Sequence, residues 1–219
     1  PPQTTLAFSP WGWFATAESA PGFPSVVRKF YPNQKSETFT ENIPWVSGVA
    51  VDAGQNVYVS SCTEGKIYRL LADGSRDVFV SGLDNPQGLA ISSDGTLYAI
   101  YGGGGSGAVF FAPMYGEGVL RISTGGEVTS LLSGHITAQI ALGPDGLLYG
   151  AGGSEIFRVL PSGKVEVVAW GFQSVRGLAF GIAGEIYAAD DVANAIVKIA
   201  PVAKTVMTGT VLDAEGNGL

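Results

Sequence analysis

The chain has 219 residues, enough for one sizeable domain with its own core or for two small ones. Hydrophobic residues make up 46% of it and charged residues 14%, and the formal net charge is −7; an acidic chain repels phosphate backbones, so no nucleic-acid partner is expected. No stretch approaches the ~20 consecutive apolar residues of a membrane span, so membrane insertion is not expected either.

Glycine and cysteine contents bear on the fold and on the location. The 32 glycines and 12 prolines favour many short strands joined by tight turns, because glycine supplies the positive φ angles that turns require. The single cysteine, Cys62, excludes an internal disulfide but does not fix the compartment. Low charge, acidity and abundant Gly, Thr and Ser favour an extracellular or cell-envelope location. The start at Pro1 predicts a processed product or an excerpt of a longer protein.

Four strands are predicted in the amino-terminal region. The stretch 5–16 (TLAFSPWGWFAT) holds the first two, 25–30 (SVVRKF) the third and 35–40 (KSETFT) the fourth. Apolar and polar residues alternate, and no window has a 3.6-residue period. This pattern favours strands over helices here and along the rest of the chain.

The same unit then recurs four times. Each copy has a short apolar strand, a polar turn with glycine and a second strand that carries a tyrosine; the copies are 47–61, 87–101, 138–152 and 176–190. A third strand follows and ends in a basic residue, and a fourth follows after a glycine turn at 72–82, 124–134 and 161–171. The basic position is assigned to Arg28, Arg69, Arg121, Arg158 and Lys198.

Five copies of a four-stranded antiparallel unit at about 40 residues predict a β-propeller. The fold class is all-β, with four-stranded antiparallel blades, five repeats visible and six if the chain is an excerpt. The propeller is expected over 1–208, and 209–219 is expected to be a carboxy-terminal strand or the start of a further β domain. The basic side chains are expected to cover apolar surface and to pair with an acid of the neighbouring blade.

The stretch 186–199 (IYAADDVANAIVKI) resembles the NHL repeat, in which a strand ending in Tyr-Val-Ala-Asp precedes a turn with asparagine and a strand ending in Ile-x-Lys. The polar turns resemble those of gluconolactonase-like and virginiamycin B lyase-like propellers. The resemblance covers about residues 5–208 and implies the blade fold. It implies no single activity, because these propellers include hydrolases, lyases and binding modules.

Asp190, Asp191 and Asn194 are the candidate metal ligands. In the NHL pattern the aspartate and asparagine stabilise the turn, because short polar side chains bond nearby backbone N–H groups, and Asp190 and Asn194 fall on those positions. Asp191 is an additional carboxylate, which leaves Ca²⁺ as the alternative. A tight calcium site needs 6–8 oxygens, and this turn offers about half of them. The turn interpretation is therefore preferred, and no other cofactor is predicted.

The enzyme alternative depends on the propeller axis. The resemblance to gluconolactonase-like enzymes implies a divalent cation there, with an asparagine ligand in a Pro-Asn-Gly stretch. The matching stretch 85–88 (NPQG) has Gln87 in that place, and 45–47, 137–139 and 175–176 supply no carboxylate. Virginiamycin B lyase-like activity would need a catalytic histidine, and His135 is predicted in an inter-blade loop.

Two segments are candidates for partner binding. The long loop 101–118 carries apolar side chains between glycine runs, and such side chains on an exposed loop are typical of protein interfaces or of a plug over the channel. The predicted contact residues are Val109, Phe110, Phe111, Met114, Tyr115 and Phe23. Trp11, Trp13 and Trp45 either extend this surface or are buried in the inner strands.

The tail 208–219 (TGTVLDAEGNGL) resembles the start of a carboxypeptidase-regulatory-like domain, and it equally resembles a further inner strand. An unfinished strand would pair with the ring, another chain or a further domain, which predicts self-association. The sequence thus favours a non-catalytic extracellular propeller that serves as a protein-interaction or assembly module through 101–118 and the terminal strand. The alternative is a metal-dependent lactonase- or lyase-like enzyme with an axial pocket.

Overall fold

The computed structural model describes residues 3–20, 23–102 and 116–200, and nineteen strands lie in these ranges. They form five antiparallel sheets, which are the blades of a propeller. Blade 1 contains β1 (Gln3–Phe8), β2 (Phe14–Ala20), β3 (Phe23–Phe30) and β4 (Ser36–Ile43). Blade 2 contains β5 (Val46–Val51), β6 (Val57–Ser61), β7 (Lys66–Leu70) and β8 (Arg76–Val80). Blade 3 contains β9 (Leu89–Ile91), β10 (Leu97–Tyr101), β11 (Gly116–Ile122) and β12 (Val128–Thr137).

Blade 4 contains β13 (Gln139–Leu142), β14 (Leu148–Gly152), β15 (Glu155–Val159) and β16 (Val165–Trp170). Blade 5 contains β17 (Val175–Phe180), β18 (Ile186–Asp190) and β19 (Ala195–Ile199). The all-β propeller with five repeats is confirmed, and blade 5 has three strands among the described residues. The part of the chain that the structure describes has no helix of the length and hydropathy that a membrane crossing needs.

Each blade is a meander in which consecutive strands pair, so its turns alternate between the two faces of the propeller. Turns between the second and third strands, together with the connections between blades, emerge on one face, which we call the upper face. Turns between the first and second strands and between the third and fourth strands emerge on the lower face. The inner strands β5, β9, β13 and β17 follow connections between blades, so they begin at the upper face.

The core lies between neighbouring blades and consists of four clusters, one at each seam from blade 1–2 to blade 4–5. Each seam packs two large inner-strand side chains of the later blade against a smaller residue of the earlier one. At the seam between blades 2 and 3, for example, Leu89 and Ile91 pack in the same cluster as Ala50. Period-2 alternation along the inner strand produces this pattern, since successive side chains point to opposite faces of the sheet.

The register corrects the assignment of the basic position in blade 1. Tyr58 lies opposite Arg69, and the equivalent pair in blade 1 is Ala15 and Lys29. Lys29, not Arg28, therefore occupies this position. The pairing of β3 with β2 determines which side chains of β3 lie on each face of the sheet, and a shift of one residue moves every side chain to the opposite face. Lys29 is buried, with its Nζ 3.6 Å from the centre of the Phe39 ring, and this burial lowers its pKa although nearby Glu37 acts to raise it.

Arg69, Arg158 and Lys198 form ion pairs within their own blade, not with the neighbouring blade as expected. Arg69 bonds Asp77 at 2.6 Å, and the two residues are opposite each other on β7 and β8. Arg158 bonds Glu166 at 3.1 Å in the same cross-strand relation. The ion pair forms within the blade because the acid on the fourth strand lies directly opposite the basic residue on the third strand.

Candidate binding site at the propeller axis

The axial mouth is a pocket of about 190 Å³ to which every blade contributes an inner-strand residue. It is smaller than the roughly 300–1,000 Å³ of pockets that take drug-sized ligands, so it suits a single small group. Its polar side chains come from hydroxyl and amide residues and one arginine: Thr5, Ser47, Gln87, Gln139 and Arg176. Leu6, Val49, Gly88, Leu89 and Ala138 complete the lining.

Glycine allows the inner strands to approach one another at this mouth. A Cβ atom added at Gly48 would overlap the carbonyl oxygen of Gln87 and come within 2.9 Å of the Leu89 nitrogen. Both neighbouring atoms belong to the backbone, so only glycine fits at this point of β5. The close approach brings the side chains of Ser47 and Gln87 to the same opening.

Hydrogen bonds hold the mouth between blades 2 and 3. Ser47 Oγ donates to the carbonyl of Pro86 at 2.9 Å, and buried Ser60 Oγ donates to the carbonyl of Gln87 at 2.6 Å. Gln87 Nε2 donates to the carbonyl of Gly102 at 2.7 Å. Because Gly102 begins the connection from β10 to β11, this amide ties the mouth to the base of the long loop.

On the opposite side of the mouth, Arg176 forms an ion pair with Asp191. Asp191 lies in the turn between β18 and β19, and its own N–H donates to the carbonyl of Ser174 at 3.0 Å. A hydrogen bond from Ser174 and the charge of Arg176 lower the pKa of Asp191. The guanidinium is thus held by a partly exposed carboxylate, and the pair brings almost no net charge to the mouth.

Asp190 is buried at 4% exposure and organises the same turn. Its carboxylate accepts backbone N–H bonds from Gln173 at 2.7 Å, Ser174 at 3.0 Å and Ala193 at 3.2 Å. Burial acts to raise the pKa of Asp190, but these bonds together outweigh it and hold the pKa below its ordinary value. Asn194 has φ of 50°, a left-handed conformation that asparagine tolerates in turns.

The geometry accounts for Asp190 and Asn194 as turn-forming residues. A calcium site at Asp190, Asp191 and Asn194 stays a prediction, and the ion would have to replace the N–H bonds and the Arg176 ion pair. Within the described residues, no group of three or more His, Cys, Asp or Glu side chains could hold a metal ion. The axial lining also does not fit a divalent cation, because it offers hydroxyls, amides and a guanidinium but no carboxylate.

Many predicted contact residues lie outside the described ranges. Residues 103–115, including Val109, Phe110, Phe111, Met114 and Tyr115, belong to this set, as does the tail 201–219. Phe23 begins β3, but its side chain is not described. The prediction of contacts through 101–118 therefore stays a prediction, and the structure places the two ends of that loop at the upper face.

The remaining candidates are dispersed over the fold. His135 lies in β12, not in a loop as predicted, and its ring is 5.5 Å from that of Phe157. Trp13 is buried at the seam between blades 1 and 2, whereas Trp11 is exposed in a lower turn, between β1 and β2. These residues do not form one surface with the axial mouth.

A second cleft of about 380 Å³ separates blade 5 from blade 1. Thr5 and Leu6 line one side, and Leu178, Tyr187 and Ile196 are among the residues on the other. Leu6 is 49% exposed and Ile196 is 70% exposed, so this seam is open where the other four are packed. Sequence reasoning gave no sign of the opening, because the repeat pattern is the same in every blade.

No protein-family model matches the sequence, and no curated protein matches it. Among solved structures, an inactive variant of virginiamycin B lyase from Staphylococcus aureus, solved with quinupristin, has a TM-score of 0.70 at 15% identity over 90% of this chain and 66% of that one. A structural-genomics protein assigned as a gluconolactonase gives 0.64 at 14% identity, over 85% of this chain and 70% of that one. The PQQ-bound aldose sugar dehydrogenase from Streptomyces coelicolor has a TM-score of 0.55 at 20% identity, over 69% of this chain and 58% of that one.

At these identities the similarity establishes the fold alone. The fold is that of the virginiamycin B lyase-like and gluconolactonase-like β-propellers, and proteins that share it include lyases, lactonases and dehydrogenases. The chain spans about two thirds of the length of the lyase, 66%.

Proposed function

We propose that this propeller is a non-catalytic interaction module whose contact surface is the upper face, centred on the axial mouth. The observation that carries the proposal is the chemistry of the lining. Thr5, Ser47, Gln87 and Gln139 supply groups that donate and accept hydrogen bonds at neutral charge, and Arg176 is neutralised by Asp191. Such a lining suits an uncharged polar group of a partner, for example an amide or hydroxyl side chain projecting from a protein.

The mouth also has the preorganisation that binding favours. Ser47 and Gln87 are held by hydrogen bonds to the backbone, so they lose little conformational freedom when a ligand group enters. The loop 101–118 begins beside Gln87, so a partner seated on the mouth would also reach that loop. Location in the extracellular space or cell envelope remains part of the proposal, supported by composition.

Selection of binders from a displayed library of random peptides tests this function. Binders of the native chain should lose about tenfold or more in affinity for Gln139→Trp, because an indole would fill the mouth. Ile182→Trp is the matched control, since Ile182 is fully exposed in a lower turn, between β17 and β18. Equal affinity for native protein and Gln139→Trp would contradict the proposal, as would equal losses in both variants.

A parallel activity screen separates this function from the enzyme alternative. The native chain is assayed on lactones, on quinupristin and on aldoses with pyrroloquinoline quinone, each with and without divalent cations. The proposal predicts no turnover above the blank. Turnover that chelation abolishes and that Gln139→Trp reduces would establish the enzyme alternative instead.

A further inference from the structure

In the part of the chain that the structure describes, blade 5 has three strands and ends at β19. β17 and β18 pair, β18 and β19 pair, and no described strand lies beyond β19. In the other four blades a fourth strand covers this edge. An open edge presents a row of backbone N–H and C=O groups that will pair with any available strand.

We propose that residues 205–212 of this chain occupy the edge as the fourth strand of blade 5, an intrachain contact that goes beyond the proposed function and does not depend on it. The spacing in the other blades fixes where this strand begins. Five residues separate the third strand from the fourth in every complete blade: 31–35, 71–75, 123–127 and 160–164. β19 ends at Ile199, so the equivalent turn is 200–204 and the next strand begins at Thr205.

The sequence of that turn matches two turns whose geometry is described. Residues 200–204 read APVAK, beside YPNQK at 31–35 and LPSGK at 160–164, with proline second and lysine fifth in all three. In the described turns the first N–H donates to the fifth carbonyl at 2.9 Å, from Tyr31 to Lys35 and from Leu160 to Lys164. Proline is compatible with the second position, which donates neither of the turn's two hydrogen bonds.

The fourth turn position has a positive φ, at Gln34 with 64° and at Gly163 with 81°. Ala203 would stand at this position. Gln34 shows that the turn accepts a residue with a side chain there.

The ion pairs of the third strands differ between blade 5 and blades 2 and 4. Arg69 and Arg158 bond acids at the second position of their fourth strands, Asp77 and Glu166. The second position in 205–212 is Val206, which offers no charge. Lys198, the equivalent base, instead bonds Glu185 of its own blade at 3.0 Å.

Leu212 links the strand to the open seam. It is the eighth residue of 205–212, as Ile43 is the eighth residue of β4, and Ile43 is fully buried between blades 1 and 2. A strand in this register would therefore place one large apolar side chain at the seam between blades 5 and 1.

Amide hydrogen exchange of β19 tests the pairing directly. Its amides should exchange about 100-fold more slowly in the full chain than in a chain ending at Lys204, because pairing must open before exchange occurs. The full chain with Met207→Pro should lose most of this protection, since proline removes a donor from the strand. Glu215→Pro, placed beyond the strand, is the matched control and should leave the protection unchanged.

Three results would overturn the assignment. Fast exchange of β19 in the full chain would show that the edge is open. Equal protection in the full chain and in the chain ending at Lys204 would show that another element covers it. Protection that rises with protein concentration would identify a second copy of the chain as the occupant.

Discussion

Among residues 3–20, 23–102 and 116–200, four seams of the propeller are packed and the fifth is open, although all five are built from the same repeat. One structural position makes the contrast plain. On the third strand, Val27, Ile67, Val119 and Ile156 are completely buried by the following blade, whereas Ile196 of blade 5 is 70% exposed. The register of each blade places these residues at the same position relative to the second strand.

The inner strands show the same contrast on the opposite side of the cleft. Val49 is 4% exposed at the seam between blades 1 and 2, and its equivalent Leu6 in blade 1 is 49% exposed. Phe8, the equivalent of Val51, is 74% exposed. The repeat therefore builds two apolar blade faces that no other described blade covers, and identical chemistry stabilises the fold only where a partner blade is in contact.

The largest expected effect comes from truncating the packed seam between blades 3 and 4. Phe157 is 1% exposed and packs directly over Gly150, where an added Cβ would overlap its ring. Phe157→Ala should lower the free energy of unfolding by about 3–5 kcal/mol, because the cavity cannot refill. Urea denaturation measures the change, and a loss below about 1 kcal/mol would show that this seam tolerates a cavity.

Two isoleucines at equivalent positions allow the stability contributions of a packed seam and of the open seam to be compared. Ile156→Ala should cost about 2–5 kcal/mol, as expected for a fully buried isoleucine. Ile196→Ala should stay within about 0.5 kcal/mol, as for a surface substitution. Equal costs from the two denaturation curves would mean that the seam between blades 5 and 1 is packed in solution.

The turn of blade 5 should show a pH dependence that its carboxylate controls. The pKa of Asp190 is depressed in the folded state, so its stabilising effect is present above the ordinary value of about 4 and is lost as pH falls through the folded value. Asp190→Asn should lower the melting temperature at neutral pH by less than the core truncations do. It should also flatten the acid side of the melting curve against pH, and an unchanged acid limb would remove Asp190 from this role.

The smallest effects concern the ion pairs on the third strands. A double-mutant cycle on Arg69 with Asp77 should give about 0.2–1 kcal/mol, as for other partly exposed pairs, and a cycle on Lys198 with Glu185 should give a smaller coupling. The first pair should be the stronger, because its guanidinium bonds the acid through two nitrogens, at 2.6 and 3.3 Å. A stronger Lys198–Glu185 coupling would reverse this order.

Much of this architecture was predictable from the sequence. Tyrosine strands and glycine turns at regular spacing gave five blades, and 85–88 and its equivalents gave the positions that meet at the axis. The strand register was harder to predict. Arg28 and Lys29 are adjacent, and only the pairing of β3 with β2 determines which one faces blade 2. A single-residue shift has no signature in a short strand with two neighbouring basic residues.

The side-chain contacts at the axial mouth were harder to predict from the sequence. Gln87 was identified only as a substitution in a metal motif, and its bond to Gly102 depends on the distance between two separate segments. The pairing of Arg176 with Asp191 likewise joins two strands of blade 5. Closure of the ring depends on the curvature accumulated over all blades, so the open cleft has no local sequence signal.

The most direct test is to map a selected peptide on the native chain by changes in backbone amide chemical shifts. We predict that the largest changes cluster at the upper ends of the inner strands, around Ser47, Gln87, Gln139 and Arg176. Changes confined to the lower turns, or to Leu178, Tyr187 and Ile196 of the cleft between blades 5 and 1, would contradict this prediction.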